Sequence, residues 1–261
     1  MDLTVRIIRS VDYQNDARWN YKNCLYPYNT LYFILGGDGH VRIDETVTPL
    51  RAGYVYLIPP NRFFDCWCDS HICKLYVDVS VETMPGRDIF AHLSGVLEAP
   101  YPVEATRALI LANQPDYKHR LNFRGQLEQA IALFIDAGQE LLRPDMLRFR
   151  TILDDMALNL SAHLRIGEIA RKHGWHPSAL SRAFKQSFHC SLKHYLERLL
   201  VSKLREELIL SDKSLKELAA QYRFCDAYYL SAFFKKHIGL SPDRYRRTQA
   251  EIARKRTRSV P

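Results

Sequence analysis

The sequence predicts an α+β protein. A small N-terminal β-barrel or jelly roll is followed by an all-α domain in which two helix-turn-helix units are joined by a long helix. Three observations predict it. Short strand-like segments crowd the first part of the chain, helical periodicity takes over from Val103, and one pattern is written twice near the C-terminus. The first copy is Leu180-Ser181-x-x-Phe184-Lys185, then Ser191 and Tyr195. The second is Leu230-Ser231-x-x-Phe234-Lys235, then Ser241 and Tyr245, displaced by 50 at every position. Upstream, Ile169-Ala170 returns as Leu218-Ala219 and Trp175 as Phe224, displaced by 49, so the second copy carries one extra residue in its turn. A repeat this long is a supersecondary unit used twice.

Composition bounds the reading. The 261 residues leave room for two domains with cores of their own. A 47% hydrophobic and 25% charged chain is globular in character and not disordered. The first residues lack the basic region and apolar run of a signal peptide, and no stretch reaches the roughly 20 apolar residues of a membrane span. Six cysteines, at 24, 66, 68, 73, 190 and 225, are too scattered for a disulfide framework, so a reducing cytoplasm is expected. Charge is divided unevenly. Residues 161–261 hold 21 Lys and Arg against 9 Asp and Glu, and the remainder holds 16 against 20. A polyanion is therefore expected to meet the C-terminal half only.

Four segments follow from these shifts: a domain over 1–140, a linker over 141–147, a helical domain over 148–250 and a basic, disordered tail over 251–261. In the first, Thr4–Arg9, Thr30–Leu35, His40–Asp44, Tyr54–Ile58, Arg62–Trp67 and Ile72–Val79 read as strands, rich in Val, Ile, Tyr and Phe. Gly36-Gly37-Asp38-Gly39 reads as a hairpin turn, because these residues tolerate positive φ. Val103–Ala112 and Leu121–Leu142 read as helices. The second has Leu127, Ala130, Ile131, Phe134, Ile135 and Leu141 at helical spacing, a stripe suited either to packing on the barrel or to a dimer interface.

A small barrel encloses a small ligand. Candidate lining residues for such an effector are Tyr32, His40, Tyr54, Tyr56, Arg62, Asp65, Trp67 and Tyr76, of which strand alternation lets about half point inward. Cys66-Trp67-Cys68 with His71 and Cys73 lacks the paired spacing of a zinc site, and buried apolar cysteine is the simpler reading. There is no nucleophile elbow, phosphate loop or H-E-x-x-H, and no metal, cofactor or catalytic residue is expected.

In the second half, Met146–Ala162 carries a helical stripe of Ile152, Leu153, Met156, Leu158 and Leu160. Ile166–His173 is a short helix stopped by Gly174, and Pro177 opens the next. Leu180, Ala183 and Phe184 face a core, which leaves Ser178, Ala179, Ser181, Arg182 and Lys185 outward, the division a recognition helix requires. Leu192 to Leu210 forms a helix of roughly 30 Å, close to the ~34 Å between successive major grooves on one face of DNA. The second unit has its first helix over Lys216–Tyr222 and a reader over Ala227–His237, N-capped by Asp226. Ala227, Tyr228, Ser231, Ala232, Lys235 and Lys236 are its outward residues. Arg182 suits a bidentate contact to guanine, and Lys235 and Lys236 suit phosphates. Double-stranded DNA is the expected partner.

These residues resemble the C-terminal domain of AraC/XylS-type transcriptional regulators over roughly Ile152–Arg247. The most specific part is Phe224, Leu230-Ser231 and Phe234-Lys235-Lys236-His237-Ile238-Gly239-Leu240-Ser241-Pro242, then Tyr245-Arg246. The N-terminal half is similar to the family's cupin-like sensor through its glycines, Leu50-x-x-Gly53 and Leu57-Ile58-Pro59-Pro60. The resemblance implies a DNA-binding regulator with a small effector, often a sugar, a homodimer, and RNA polymerase as a further partner. Four positions depart from the pattern: Arg223 and His189 replace glycines, Ala232 replaces an arginine and Leu204 an alanine. The two-His-plus-Glu metal motif of catalytic cupins is missing. A constitutive DNA binder whose barrel only dimerises, and a cupin-type enzyme with a DNA-binding appendage, are the alternatives.

Overall fold

Alternating apolar residues in the first hundred positions build one antiparallel sheet. A computed structural model describes residues 3–16, 19–104, 117–138 and 144–257. Its strands are β1 (Thr4–Asp16), β2 (Asn20–Leu25), β3 (Asn29–Ile43), β4 (Thr46–Pro49), β5 (Tyr54–Ile58), β6 (Phe63–Met84), β7 (Arg87–Asp88) and β8 (Leu97–Pro100). They run in the order β1-β6-β3-β5-β8, with β2 and β7 also on β6 and β4 on β3.

The structure corrects the hairpin. Gly36–Gly39 lies inside β3, which is continuous over 15 residues, and the two segments expected around residues 62–79 are one strand of 22 residues, β6. The register between them slips at Ile34/Gly36 and again at Gly37/Gly39. Asp38 fills the gap. Its carboxylate accepts the Asp69 and Ser70 N–H groups at 3.0 Å and the Ser70 hydroxyl. These donors, the Ser70 hydroxyl foremost, pull the Asp38 carboxyl down to about 2. Gly37 sits at φ +100°, where an added Cβ would lie 2.3 Å from the His71 carbonyl oxygen. Glycine is demanded here by a bulge between long strands. The tight turn falls later, at Asp44 (φ +51°) and Glu45 between β3 and β4.

Helix α1 (Tyr117–Ala132) and the short α2 (Ile135–Gly138) follow, so the helix expected to Leu142 breaks at Leu133-Phe134. Leu127, Ala130, Ile131 and Phe134 are buried with Leu31, Phe33, Val55, Leu57, Leu75 and Val77. Through these residues the stripe packs on the sheet. Of the Val103–Ala112 helix only 103–104 lie within the described residues, and Leu141 lies outside them.

The helical part comprises α3 (Pro144–Leu147), α4 (Arg150–Leu158), α5 (Ile166–Lys172), α6 (Pro177–Phe188), α7 (Leu192–Leu210), α8 (Leu215–Gln221), α9 (Ala227–Ile238) and α10 (Pro242–Thr257). The chain divides into two compact units, one of Met1–Thr83, Asp88–Glu140 and Glu251–Pro261, the other of Met84–Arg87 and Leu141–Ala250. Leu158, expected in the core, is 85% exposed. Helix α10 continues to Thr257, where an irregular tail was expected from 251.

Candidate nucleic-acid interface

Local signals set each helix pair. Gly174 takes φ +69° after α5, and Pro177 occupies the first turn of α6. In the second pair, Ser214 and Glu217 form a reciprocal capping box at α8, Asp226 accepts the Tyr229 N–H at 2.7 Å at α9, and Gly239 (φ +79°) closes α9. The Ser-x-x-Glu spacing of Ser214 and Glu217 is the sequence signal of that capping box. His189 and Arg223, which stand where the resemblance expects glycine, both adopt φ +54°. The backbone keeps the glycine conformation although the side chains do not favour it.

Each pair owns a core, and α7 belongs to both. Its first half places Leu192, Tyr195 and Leu196 with Phe149, Leu153, Met156, Ala170, Leu180 and Phe184. Its second half places Leu200, Leu204 and Leu208 with Leu218, Ala219, Phe224, Leu230, Phe234 and Tyr245. The repeated residues are thus core residues: Leu180 and Leu230, Phe184 and Phe234, Tyr195 and Tyr245 are all buried. Helix α7 is 19 residues long, about 28 Å. Because both halves are packed, it couples the pairs as a rigid rod.

The outward residues of α6 lie where the sequence puts them. Ser178, Ala179, Ser181, Arg182 and Lys185 are exposed. The Ser178 hydroxyl is 2.8 Å from His176 Nδ1, which adds an exposed imidazole at the start of the helix that the sequence reading missed. On α9, Tyr228 is 88% exposed, Ala232, Lys235 and Lys236 are exposed, and Ala227 and Ser231 are half-buried. Tyr229, also unlisted among the candidates, is 52% exposed beside Phe224. The Asp226 cap was the available signal, since it places Tyr228 and Tyr229 in the exposed first turn of α9. None of the Arg182, Lys185, Lys235 and Lys236 side chains has an ion-pair partner among the described residues.

The effector candidates separate into different places. Tyr32 lies opposite both Tyr56 and Tyr76 in register, on the sheet face away from the α1 core. Its ring lies edge-on to Trp19 at 5.9 Å and to Tyr76 at 6.4 Å, and the buried Lys74 Nζ is 3.8 Å from its centre. Tyr54 adjoins Tyr56 at 6.3 Å but is covered by Arg51. Beyond the bulge the facing of β3 changes, while β6 keeps its alternation. His40 stacks on Trp67 at 5.2 Å, and Asp65 pairs with Arg42. Burial pushes the Asp65 carboxyl up, but the Asn23 N–H and the Arg42 guanidinium outweigh it and hold it below the usual range. Arg62 instead donates from Nε to the Leu93 carbonyl at 2.9 Å. Only the tyrosines share one face.

A repeated helix pair with an exposed helix whose cations lack ion-pair partners among the described residues is the architecture of a helix-turn-helix domain. A family profile described as a helix-turn-helix domain matches residues 156–248. An uncharacterized HTH-type transcriptional regulator of Staphylococcus aureus (strain MRSA252) is 23% identical over 82% of this chain and 31% of its own length. The HTH-type transcriptional activator RhaR of Yersinia pestis is 27% identical over 42% of this chain and 38% of its own length. The chain therefore spans about a third of the curated relatives it matches. ToxT of Vibrio cholerae, solved with an unsaturated fatty acid bound, superposes with a TM-score of 0.50 at 12% identity, covering 94% of both chains. Over residues 156–248 the chain is similar to the helix-turn-helix domains of HTH-type transcriptional regulators. The relatives named are regulators and not enzymes.

Among the described residues no helix is long and apolar enough to cross a membrane.

Proposed function

We propose that the chain is a sequence-specific DNA-binding transcriptional regulator gripping duplex DNA with two helix-turn-helix units. The observation that carries this reading is the pair of exposed reader helices, α6 and α9, held on one rigid rod about as long as the groove spacing. Arg182, Ser178 and Ser181 read base edges in one groove, Tyr228 and Ser231 meet the next, and Lys185, Lys235 and Lys236 anchor phosphates. With Ala232 in place of a long donor, the second unit clamps more than it reads. Selection of bound duplexes from a random library tests this. The expected site spans two adjacent major grooves; a single short contact, or no preference, overturns the reading.

The N-terminal sheet, a cupin-like barrel in this reading, holds a small-molecule effector against the Tyr32, Tyr56 and Tyr76 face. The shared aromatic face supports it, as does the fatty-acid-bound ToxT with the same fold. Thermal melts of the full chain against metabolites, sugars and fatty acids should show a shift for one class. No shift for any compound leaves the constitutive binder.

A further inference from the structure

A cavity of about 600 Å³ opens where the start of α5, the first half of α7 and helix α9 meet, between the two helix pairs. Its floor is apolar, formed by Leu164, Ile166, Leu196, Leu200 and Phe233. Its wall at Ala232 is low, because that side chain ends at Cβ. Arg165, Lys193 and Lys236 line it, and none of their side chains has a carboxylate partner among the described residues. The one acid lining it, Glu197, lies 4.0 Å from His237 Nε2, and burial holds that imidazole below the ordinary histidine range, so three cations face a single carboxylate and the cavity keeps an excess of positive charge. This volume lies within the range of sites that hold drug-sized molecules, and apolar walls with a few convergent polar groups are their usual construction.

We infer that this cavity binds a small amphipathic organic anion, a carboxylate with an aromatic or branched apolar body. The apolar body would lie on Leu196, Leu200 and Phe233, where burial gains roughly 25 cal/mol per Å². The carboxylate would meet the Lys193, Lys236 and Arg165 cations. A DNA phosphate would satisfy those cations but leave the apolar floor unused, so the small anion fits the whole cavity better. The regulatory consequence rests on the DNA-binding reading above. An occupant engages Lys236 and fills the space beside Ala232 on the second reader, so it competes with DNA for that surface.

Fluorescence titration of the full chain with naphthoate, alongside the uncharged naphthamide, tests the site without any DNA. Saturable binding is expected, weaker by about tenfold or more for naphthamide and for the K193Q/K236Q double variant. Ala232→Trp, at an exposed position, should abolish binding while circular dichroism stays unchanged. Absence of saturable binding at millimolar naphthoate overturns the inference. So does binding that neither substitution alters, which would put the anion elsewhere. If K193Q/K236Q weakens duplex binding but leaves naphthoate affinity intact, the cations serve phosphates and the inference also fails. A separate competition with the selected duplex tests the consequence. If naphthoate binds but does not displace DNA, the regulatory step is wrong and the site stands.

Discussion

Arg205 donates from Nε to the Tyr245 hydroxyl at 3.1 Å, with 4% and 1% of the two residues exposed. The contact joins the rod α7 to α10 inside the second helical core. Burial pushes the Tyr245 hydroxyl above its ordinary range, so the phenol stays neutral and serves as acceptor. Tyr245→Phe keeps the ring and removes that acceptor from a buried guanidinium. A loss of about 1–3 kcal/mol is expected in urea unfolding. An unchanged midpoint would mean the ring alone holds the two helices.

Arg182 and Lys235 should fail differently. Arg182→Ala is expected to cost on the order of 1–3 kcal/mol at one base position and to relax preference there. Lys235→Ala should weaken all sequences alike and lower the salt slope by about one. Affinities for single-base variants of the selected site, measured at several salt concentrations, separate the two. Equal loss across all sequences for Arg182→Ala would reduce it to a phosphate contact.

Arg223 is an exposed, non-glycine residue at φ +54°. A side chain in this region costs roughly 1–2 kcal/mol against glycine, partly offset by the extra entropy glycine has when unfolded. Arg223→Gly should therefore raise stability by about 0.5–1 kcal/mol, read from thermal or urea melts. A destabilised variant would show that the arginine side chain makes up for its backbone.

Asp88 makes stability depend on pH. Burial lifts its carboxyl from the ordinary 3.8 to about 7, despite hydrogen bonds from the Val81 and Phe90 N–H groups and the Asn29 amide. Between those values the folded chain holds a proton that the unfolded chain has lost. Unfolding then releases a proton, and stability falls as pH rises from about 4 to about 7, by up to about 1.4 kcal/mol per pH unit from this group. Above pH 7 the contribution is flat. Subtracting the pH profile of Asp88→Asn from that of the unaltered chain isolates the slope. A difference that does not vary with pH would place the Asp88 carboxyl back in the ordinary range.

Much of the helical half was determined by the sequence alone, because its signals are local. Gly174, Pro177, Asp226 and Gly239 act within one turn of where they stand, and the spacing of Leu180, Phe184, Leu230 and Phe234 names a core face without knowledge of what fills it. The even displacement of the repeat carried the architecture, and α7 begins and ends at the residues expected of it.

Only the tertiary structure decided the rest. Gly36–Gly39 has the composition of a turn, yet it is a bulge because Asp38 meets the backbone of Asp69 and Ser70 on a strand more than thirty residues away. That slip in register reverses the facing beyond it. It is why His40 leaves the face that Tyr32 shares with Tyr56 and Tyr76 although both are even positions of β3, a sorting that strand periodicity cannot make when one residue is gained or lost; Asp65 and Trp67, an odd number of residues from Tyr76 on β6, fall on the other face by alternation alone. The cavity beside Ala232 is of the same kind. Arg165 and Lys193 carry no signal in the sequence and Lys236 reads only as a phosphate contact, and the three line one cavity only because α5, α7 and α9 converge. Local chemistry wrote the helices, and long-range packing decided what they surround.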